Sequence, residues 1–460
     1  MSNSISVIGL GKLGVPMVAC FASKGFRVVG VDVDPHKVES IRRHKSPVRE
    51  PLVNELLASV NGRLHAGHDI ETAALTTDVT FIVVATPSEP GGGFSLRYVL
   101  PVCERIGQSL RRKDGYHLVV LTSTVMPGST GGAVREALEY SSGKTVGKDF
   151  GLCYNPEFIA LGSVVKDFLN PDFLLIGESD PQSGDILERI YHEVCDNRPP
   201  AARLSFIDAE IAKLAVNTYV TTKISFVNML ARICERLPGA SVDAVSSAIG
   251  LDSRIGSKYL KGAVSYGGPC FPRDNVALIK LAEQVGAPPD IARATDLFNR
   301  AQIRWLADFV QQHLPDHGKA GILGLAYKPH TNIVEEAPGF LLAQCLATRD
   351  IPVVVFDPAV EEMPGSLFDR GVQFAPTSAK CIQEADVVAV ATPWPEFSDI
   401  PRAVWEQKKG LILIDCWRLL PALQHFSDIR YISLGTGEKP AECSASREHS
   451  RVPDTHGIVL

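Results

Sequence analysis

No two of the ten cysteines in this 460-residue chain are spaced as Cys-x-x-Cys. Thiols scattered in this way argue against a zinc site and against a disulfide framework, and they fit a reducing cytoplasm. No uninterrupted apolar stretch is long enough to cross a bilayer, so no membrane partner is expected. The opening residues Met1-Ser2-Asn3-Ser4-Ile5-Ser6-Val7-Ile8 lack a basic segment followed by an apolar run. They read as a first strand and not as a signal peptide. Positive charge is not in excess either. Lys and Arg number 46 against 52 Asp and Glu, a net charge of −6, which argues against a broad basic face for nucleic acid. What remains is an ordinary globular composition, 45% apolar, with length for two or three domains.

Apolar runs alternate with helical patterns at both ends of the chain. The first set includes Ile5-Ser6-Val7-Ile8, Arg27-Val28-Val29-Gly30-Val31, Val79-Thr80-Phe81-Ile82-Val83-Val84 and His117-Leu118-Val119-Val120-Leu121. The second includes Ala320-Gly321-Ile322-Leu323-Gly324, Pro352-Val353-Val354-Val355-Phe356, Asp386 to Ala391 and Leu411-Ile412-Leu413-Ile414. Continuous apolar strands of this kind belong to parallel sheets covered on both faces. Between the two sets, residues 208–237 form a helical pattern without proline or glycine. Shorter helices are expected over 242–249, 275–285 and 291–313. The long helix must bury an apolar stripe, either in the core of its own chain or against a partner subunit. The expected division is 1–204, 205–316 and 317–437, followed by a polar tail at 438–460 whose composition predicts disorder.

Two motifs carry chemistry. Gly9-Leu10-Gly11-Lys12-Leu13-Gly14 follows the first strand and opens a helix. The glycines serve a tight turn, a close approach to a pyrophosphate and helix–strand packing, and the helix N-terminus faces the phosphates. Asp32 ends the second strand, where a carboxylate accepts ribose hydroxyls and repels a 2′-phosphate, so NAD is the expected cofactor. Ala85-Thr86-Pro87 and Ser123-Thr124-Val125-Met126-Pro127-Gly128 end two further strands. Their hydroxyls either reach a ligand beyond the strand ends or cap the turns. The second motif is Gly267-Gly268-Pro269-Cys270-Phe271-Pro272-Arg273-Asp274. Gly-Gly lets backbone approach a ligand closely, a thiol at a helix N-terminus near a cation has a lowered pKa, and Asp274 would share the cysteine's face of a helix. Taken alone, the cysteine reads more readily as a small, inert, buried apolar group.

These pieces, together with Asn155-Pro156-Glu157-Phe158, Glu210-Ile211-Ala212-Lys213, Asn217, Asp252-Ser253-Arg254-Ile255-Gly256 and Gly324-Leu325-Ala326-Tyr327-Lys328, occur in one order. That order resembles the UDP-glucose/GDP-mannose dehydrogenase family of nucleotide-sugar 6-dehydrogenases over residues 4–437. The resemblance implies an α/β fold of two Rossmann-like, doubly wound parallel-sheet domains, joined by a long central helix and a helical dimerisation region. It implies two successive NAD-dependent oxidations of a sugar C6 hydroxyl to a carboxylate. Cys270 would be the nucleophile, Lys213 the stabiliser of the C6 oxygen with Asn217 beside it, and Asp274 the group that activates water or orients Lys213. Glu157 would be the base that hydrolyses a thioester, with Thr124 placing water. Gly9, Gly11, Lys12, Leu13, Gly14, Asp32, Thr86, Pro87, Ser123 and Thr124 would hold NAD. Glu157, Phe158, Ile159, Lys213, Asn217, Tyr259, Leu260, Lys261, Tyr266, Gly267, Lys328 and Arg418 would hold the nucleotide sugar. Arg254 would reach the neighbouring subunit's site in a homodimer or higher homo-oligomer.

The chain departs from the family pattern at Leu161, where a second glutamate is common, and at Arg273, where lysine is usual. It departs again at Asn332, Ile333 and Glu335, where acidic residues and an arginine are usual. UDP-glucose is the expected substrate. UDP-N-acetylhexosamine and GDP-mannose are the alternatives, and a catalytically silent nucleotide-sugar-binding protein is the non-enzymatic one. A one-step 3-hydroxyacid dehydrogenase would leave the second α/β region and the cysteine motif without a use.

Overall fold

A computed structural model describes residues 4–60, 62–362 and 365–437. The tail expected to be disordered, 438–460, lies outside the described residues. Eight strands form the first sheet: β1 (Ser4–Ile8), β2 (Arg27–Val31), β3 (Leu64–Gly67), β4 (Val79–Ile82), β5 (Leu118–Leu121), β6 (Gly151–Tyr154), β7 (Leu174–Glu178) and β8 (Ala201–Leu204). Their spatial order is β3-β2-β1-β4-β5-β6-β7-β8. Successive residues feed opposite faces. Ile5, Val7, Phe81 and Val120 join one apolar cluster, and Ile8, Ile82, Val119 and Leu121 join the other. Burial on both faces explains why these strands read as unbroken apolar runs.

One pairing departs from the expected parallel sheet: β6 and β7 run antiparallel. The only helix between them is Val164–Leu169, about 9 Å long. That is too short to carry the chain back along a strand of about 13–17 Å. The chain therefore stays at the carboxyl edge of the sheet, and the 155–163 segment is left there, where ligands of such sheets lie.

The second sheet contains β9 (Ala320–Leu323), β10 (Val353–Phe356), β11 (Gln373–Phe374), β12 (Val387–Val390), β13 (Leu411–Asp415) and β14 (Ile429–Ser433). Its order is β11-β10-β9-β12-β13-β14, with every pairing parallel. Both sheets therefore wind outward in two directions from their first strand, which is the doubly wound arrangement.

A 29-residue helix, Phe206–Cys234, joins the two sheet regions. The Ser205 side chain caps its first turn by accepting from the Asp208 amide at 3.2 Å. One face carries Ile207, Ile211, Tyr219, Phe226, Met229 and Ile233, all exposed. The other buries Glu210, Lys213, Asn217, Thr221 and Asn228. The exposed apolar stripe thus does not enter the core of its own chain, and the buried face mixes these polar groups with Leu214, Val227 and Ala231.

Candidate active site

The glycine loop between β1 and the helix Gly14–Ser23 has the geometry of a phosphate cradle. Gly9 takes a φ of +107°, and a Cβ on Gly14 would stand 1.8 Å from the Gly9 carbonyl oxygen, so no side chain fits at either position. A Cβ on Gly11 would meet nothing within 4 Å. That side of the loop is open to a ligand. Asp32 Oδ2 accepts from the Leu10 amide at 2.7 Å and Oδ1 from the Asp34 amide at 2.9 Å, and Lys37 lies 3.3 Å away. Oδ1 keeps a lone pair for a ribose hydroxyl, whereas Oδ2 accepts from both the Leu10 amide and Lys37 Nζ. The residues present therefore fit NAD. The second sheet repeats the turn: Gly324 has a φ of +100°, and a Cβ on Gly339 would stand 1.9 Å from its carbonyl oxygen. The matching carboxylate, Asp357, is already filled by the amides of Leu325, Ala326 and Ala359 and by the Trp394 indole N–H, at 2.7–3.1 Å. Only the first sheet keeps a carboxylate free for a dinucleotide.

Of the neighbouring hydroxyls, Thr86 Oγ1 donates to the Thr124 carbonyl at 2.7 Å and Ser123 Oγ to the Val84 carbonyl at 2.6 Å. Both therefore brace the turns. The Thr124 side chain is half-buried. Lys12 is exposed, and Leu13 packs on the core beneath the loop; Pro87 follows Thr86 on the surface.

Cys270 immediately precedes the helix Phe271–Gln284 and is exposed. The helix begins four residues earlier than its sequence pattern indicates, because Pro272 suits a first turn that needs no amide hydrogen. Asp274 donates its amide to the Cys270 carbonyl at 2.8 Å and is itself buried. Its Oδ2 accepts from Asn217 Nδ2 at 2.6 Å. Burial raises the Asp274 pKa, opposed by Lys213, Asn217 and Arg273. Burial lowers that of Lys213, opposed by Asp274, Cys270 and Glu157. The Lys213 ammonium donates to the Glu157 carbonyl oxygen at 2.7 Å and lies 4.3 Å over the Phe158 ring. Arg273 stacks on Phe94 at 4.2 Å and reaches Thr86 Oγ1 at 3.3 Å. It ties the cysteine's helix to the cofactor turn.

Two sequence expectations are corrected. Burial and the Asp274 carboxylate push the Cys270 thiol up, against Lys213 and Arg273. Solvent at this exposed residue limits the effect, but its direction is opposite to that expected for a thiol beside a cation. The Gly-Gly pair, in turn, is required by close approach of protein. A Cβ on Gly267 would stand 2.2 Å from the Glu336 carbonyl oxygen, and one on Gly268, at φ +85°, 2.7 Å from the Tyr327 ring.

Glu157 follows β6, and its Oε1 lies 2.6 Å from the Tyr191 hydroxyl. Burial pushes its carboxyl up to about 7. Phe158 pairs with Phe173 at 5.0 Å between ring centroids, and Ile159 packs against the core. The segment 260–267 is held from two helices. Asn228 bonds the Ala263 amide and the Val264 carbonyl at 2.8 Å each, and Asn299 bonds the Tyr266 amide and carbonyl at 2.8 and 3.0 Å. Leu260 and Tyr266 are buried in it, while Tyr259 and Lys261 are exposed. Burial lowers the Lys328 pKa, opposed by Asp167 and Glu50. Arg418 is engaged by Asp243 at 2.6 Å and by the carbonyls of Gly262 and Leu434 at 2.7 and 2.8 Å. It therefore braces the 260–267 segment from below β13. The Arg254 side chain is 87% exposed and folds onto Asp252.

Cys270, Lys213, Asn217, Asp274, Glu157 and Phe158 are thus one contiguous group beside the cofactor turns; the exposed Tyr259 ring packs edge-on against Phe271, next to Cys270, at 6.3 Å, whereas Arg254 stands apart on the surface. Sequence reasoning passed over Glu210 as a site residue. It is fully buried and accepts from the Gly128 amide at 2.6 Å, the Thr130 amide at 2.8 Å and the Thr130 hydroxyl at 2.6 Å. It pins the Ser123–Gly128 turn to the central helix. Its spacing to Lys213 and Asn217, three and seven residues, was the available signal. Glu210→Ala strands the buried Thr130 amide and hydroxyl and the partly buried Gly128 amide, and should cost about 2 kcal/mol of stability. A urea midpoint unchanged from wild type would contradict this.

A dinucleotide cradle on one doubly wound sheet, a second such sheet without a free ribose carboxylate, and a polar group of thiol, ammonium and carboxylates beside the cradle define a nicotinamide-dependent dehydrogenase. The chain belongs to the UDP-glucose/GDP-mannose dehydrogenase family. That family's NAD binding domain matches residues 3–195, its central domain residues 207–301 and its UDP binding domain residues 321–422. A UDP-glucose 6-dehydrogenase of Haloferax volcanii is 36% identical over 420 residues, covering 90% of this chain and 97% of its own. A GDP-mannose 6-dehydrogenase of Pseudomonas aeruginosa is 35% identical over 361 residues, covering 78% and 81%. The solved structure of a UDP-glucose dehydrogenase from Pyrobaculum islandicum superposes with a TM-score of 0.85 at 32% identity, covering 95% of this chain and 97% of that one. The protein is an NAD-dependent enzyme that oxidises a nucleotide sugar.

Proposed function

We propose that the enzyme oxidises the C6 hydroxyl of UDP-glucose to a carboxylate, giving UDP-glucuronate in two oxidations through a Cys270 thioester. The observation that carries this reading is the grouping of an exposed thiol, a buried ammonium and a carboxyl titrating near neutrality beside one dinucleotide cradle. When bound on Gly9, Gly11, Gly14 and Asp32, NAD accepts a hydride in each oxidation. Lys213 and Asn217 stabilise negative charge on the C6 oxygen as its proton passes to water, and Asp274 orients both. The Cys270 S–H then adds across the aldehyde C=O, so sulfur bonds carbon and the proton ends on the C6 oxygen. The second oxidation turns the adduct into a thioester. Glu157 takes a proton from a water placed by Thr124, hydroxide attacks the thioester carbon, the C–S bond breaks, and Cys270 leaves as thiolate. Glu157, next to Lys213, serves as base without the second glutamate that Leu161 replaces.

The UDP binding domain of the family and the UDP-glucose relatives support the uridine sugar, and the GDP-mannose relatives keep a second reading open. NADH formation across UDP-glucose, UDP-N-acetylhexosamines and GDP-mannose decides it; activity confined to GDP-mannose would overturn the assignment. The exposed apolar stripe of the central helix supports a homodimer. A monomer in light scattering at micromolar concentration would contradict that. Nine cysteines, none in a disulfide among the described residues, support a reducing compartment such as the cytoplasm.

A further inference from the structure

Asn155, Tyr191 and Glu157 form a buried chain of hydrogen bonds with one hydrogen too few. Asn155 ends β6, and its Nδ2 donates to the Leu175 carbonyl on β7 at 3.0 Å. A carbonyl only accepts, so this bond fixes the amide and turns Oδ1 toward Tyr191. The Tyr191 hydroxyl lies 2.6 Å from Asn155 Oδ1 and 2.6 Å from Glu157 Oε1. Both separations are hydrogen-bond lengths, yet the phenol has a single hydrogen. Asn155 Oδ1 has none to give. The second hydrogen must come from the Glu157 carboxyl, which then donates to the tyrosine oxygen.

The surroundings agree. Tyr191 is 1% exposed, so water does not replace either partner. The Lys213 ammonium bonds the Glu157 backbone carbonyl and not its carboxyl. The other groups facing Glu157 are the thiols of Cys20 and Cys195, on the helices packed beneath it. Burial pushes both up to about 12, so they are uncharged. Burial pushes the Glu157 carboxyl up to about 7 against a Tyr191 hydrogen donated to its anion and against the Lys213 charge. Committing that hydrogen to Asn155 removes the first of these and leaves Lys213.

We propose that Asn155 and Tyr191 are positioning residues that keep a proton on the Glu157 carboxyl, so that thioester hydrolysis waits for its release. The proposal rests on Glu157 being the hydrolytic base. A neutral Glu157 cannot take a proton from water. Because Glu157 is only half-buried, its proton passes to solvent when the bond from Oε1 to Tyr191 opens, and the anion then deprotonates the attacking water. Neither Asn155 nor Tyr191 touches substrate; both act through Glu157.

The test is the pH titration of the protonated-carboxyl infrared band in the full-length enzyme, assigned by its loss in Glu157→Gln. The wild type should show the band at neutral pH. In Tyr191→Phe the neutral acid loses its acceptor, and the midpoint should fall by about one pH unit. Hydrolysis well below the midpoint then speeds up about tenfold. Asn155→Ala frees the tyrosine hydrogen for the anion, and the midpoint should fall again. A rise in Tyr191→Phe with no change in Asn155→Ala would show Tyr191 donating to a carboxylate and would overturn the proposal, as would a wild type without the band at pH 6. Normal turnover in Glu157→Gln would instead remove its role as base, while the infrared midpoints still report who holds the proton.

Discussion

Cys270→Ser is expected to reduce carboxylate formation by on the order of 10³-fold while leaving the fold intact. Serine fits the same space in front of Pro272, and Cys270 is exposed, so stability should change by no more than about 0.5 kcal/mol. The loss is chemical. An aldehyde that is not held by sulfur must leave or wait for hydration, and an alkoxide is a far poorer leaving group than a thiolate when water cleaves the ester. The first oxidation does not need sulfur, so the variant should release aldehyde. A carbonyl-trapping reagent added to the assay would then capture about one aldehyde per NADH. Unchanged carboxylate production would mean that Cys270 is only structural.

Glu157→Gln is expected to separate oxidation from hydrolysis. Glutamine preserves the shape beside Tyr191 and leaves the Lys213 bond intact, because Lys213 uses the backbone carbonyl of residue 157. It cannot take a proton from water. The variant should therefore form two NADH per active site in a burst and then turn over about 10²–10⁴-fold more slowly, the span general base catalysis supplies. In the wild type the same group sets the pH dependence. Its carboxyl is pushed up to about 7 by burial, and the base form is the anion, so hydrolysis should rise with pH through that region and flatten above it. A wild-type rate independent of pH between 6 and 8, with hydrolysis shown to limit turnover, would contradict this assignment.

The parts of the site that could be read from the chain are those where one residue type alone satisfies the geometry. Gly9 and Gly14 meet backbone at distances no Cβ tolerates, and Asp32 stands at a fixed offset from them. Both sheets were readable because burial on two faces leaves unbroken apolar runs. The antiparallel β7 was not, because its direction depends on the length of a six-residue helix. Tyr191 lies in a helix where an aromatic is indistinguishable from core packing, and only its distance to Glu157 and Asn155 reveals its use. Gly267 and Gly268 were correctly singled out and wrongly explained: the surface pressed against them belongs to residues 327 and 336, some sixty residues further on. The Cys270 thiol was likewise singled out, but the sign of its shift is set first by burial and then by Asp274 against Lys213 and Arg273, which spacing in sequence does not contain. Arg418 reads as a ligand contact and folds as a brace, because Asp243 and the Gly262 carbonyl reach it first.

The most direct measurement of the central claim is mass spectrometry of Glu157→Gln, acid-quenched shortly after mixing with NAD and the nucleotide sugar that supports turnover. The expected result is near-stoichiometric protein heavier by the nucleotide uronic acid less one water, with the added mass on the peptide containing Cys270 and two NADH formed per site. Unmodified protein after two NADH per site, or an adduct on a residue other than Cys270, would contradict a thioester at this cysteine.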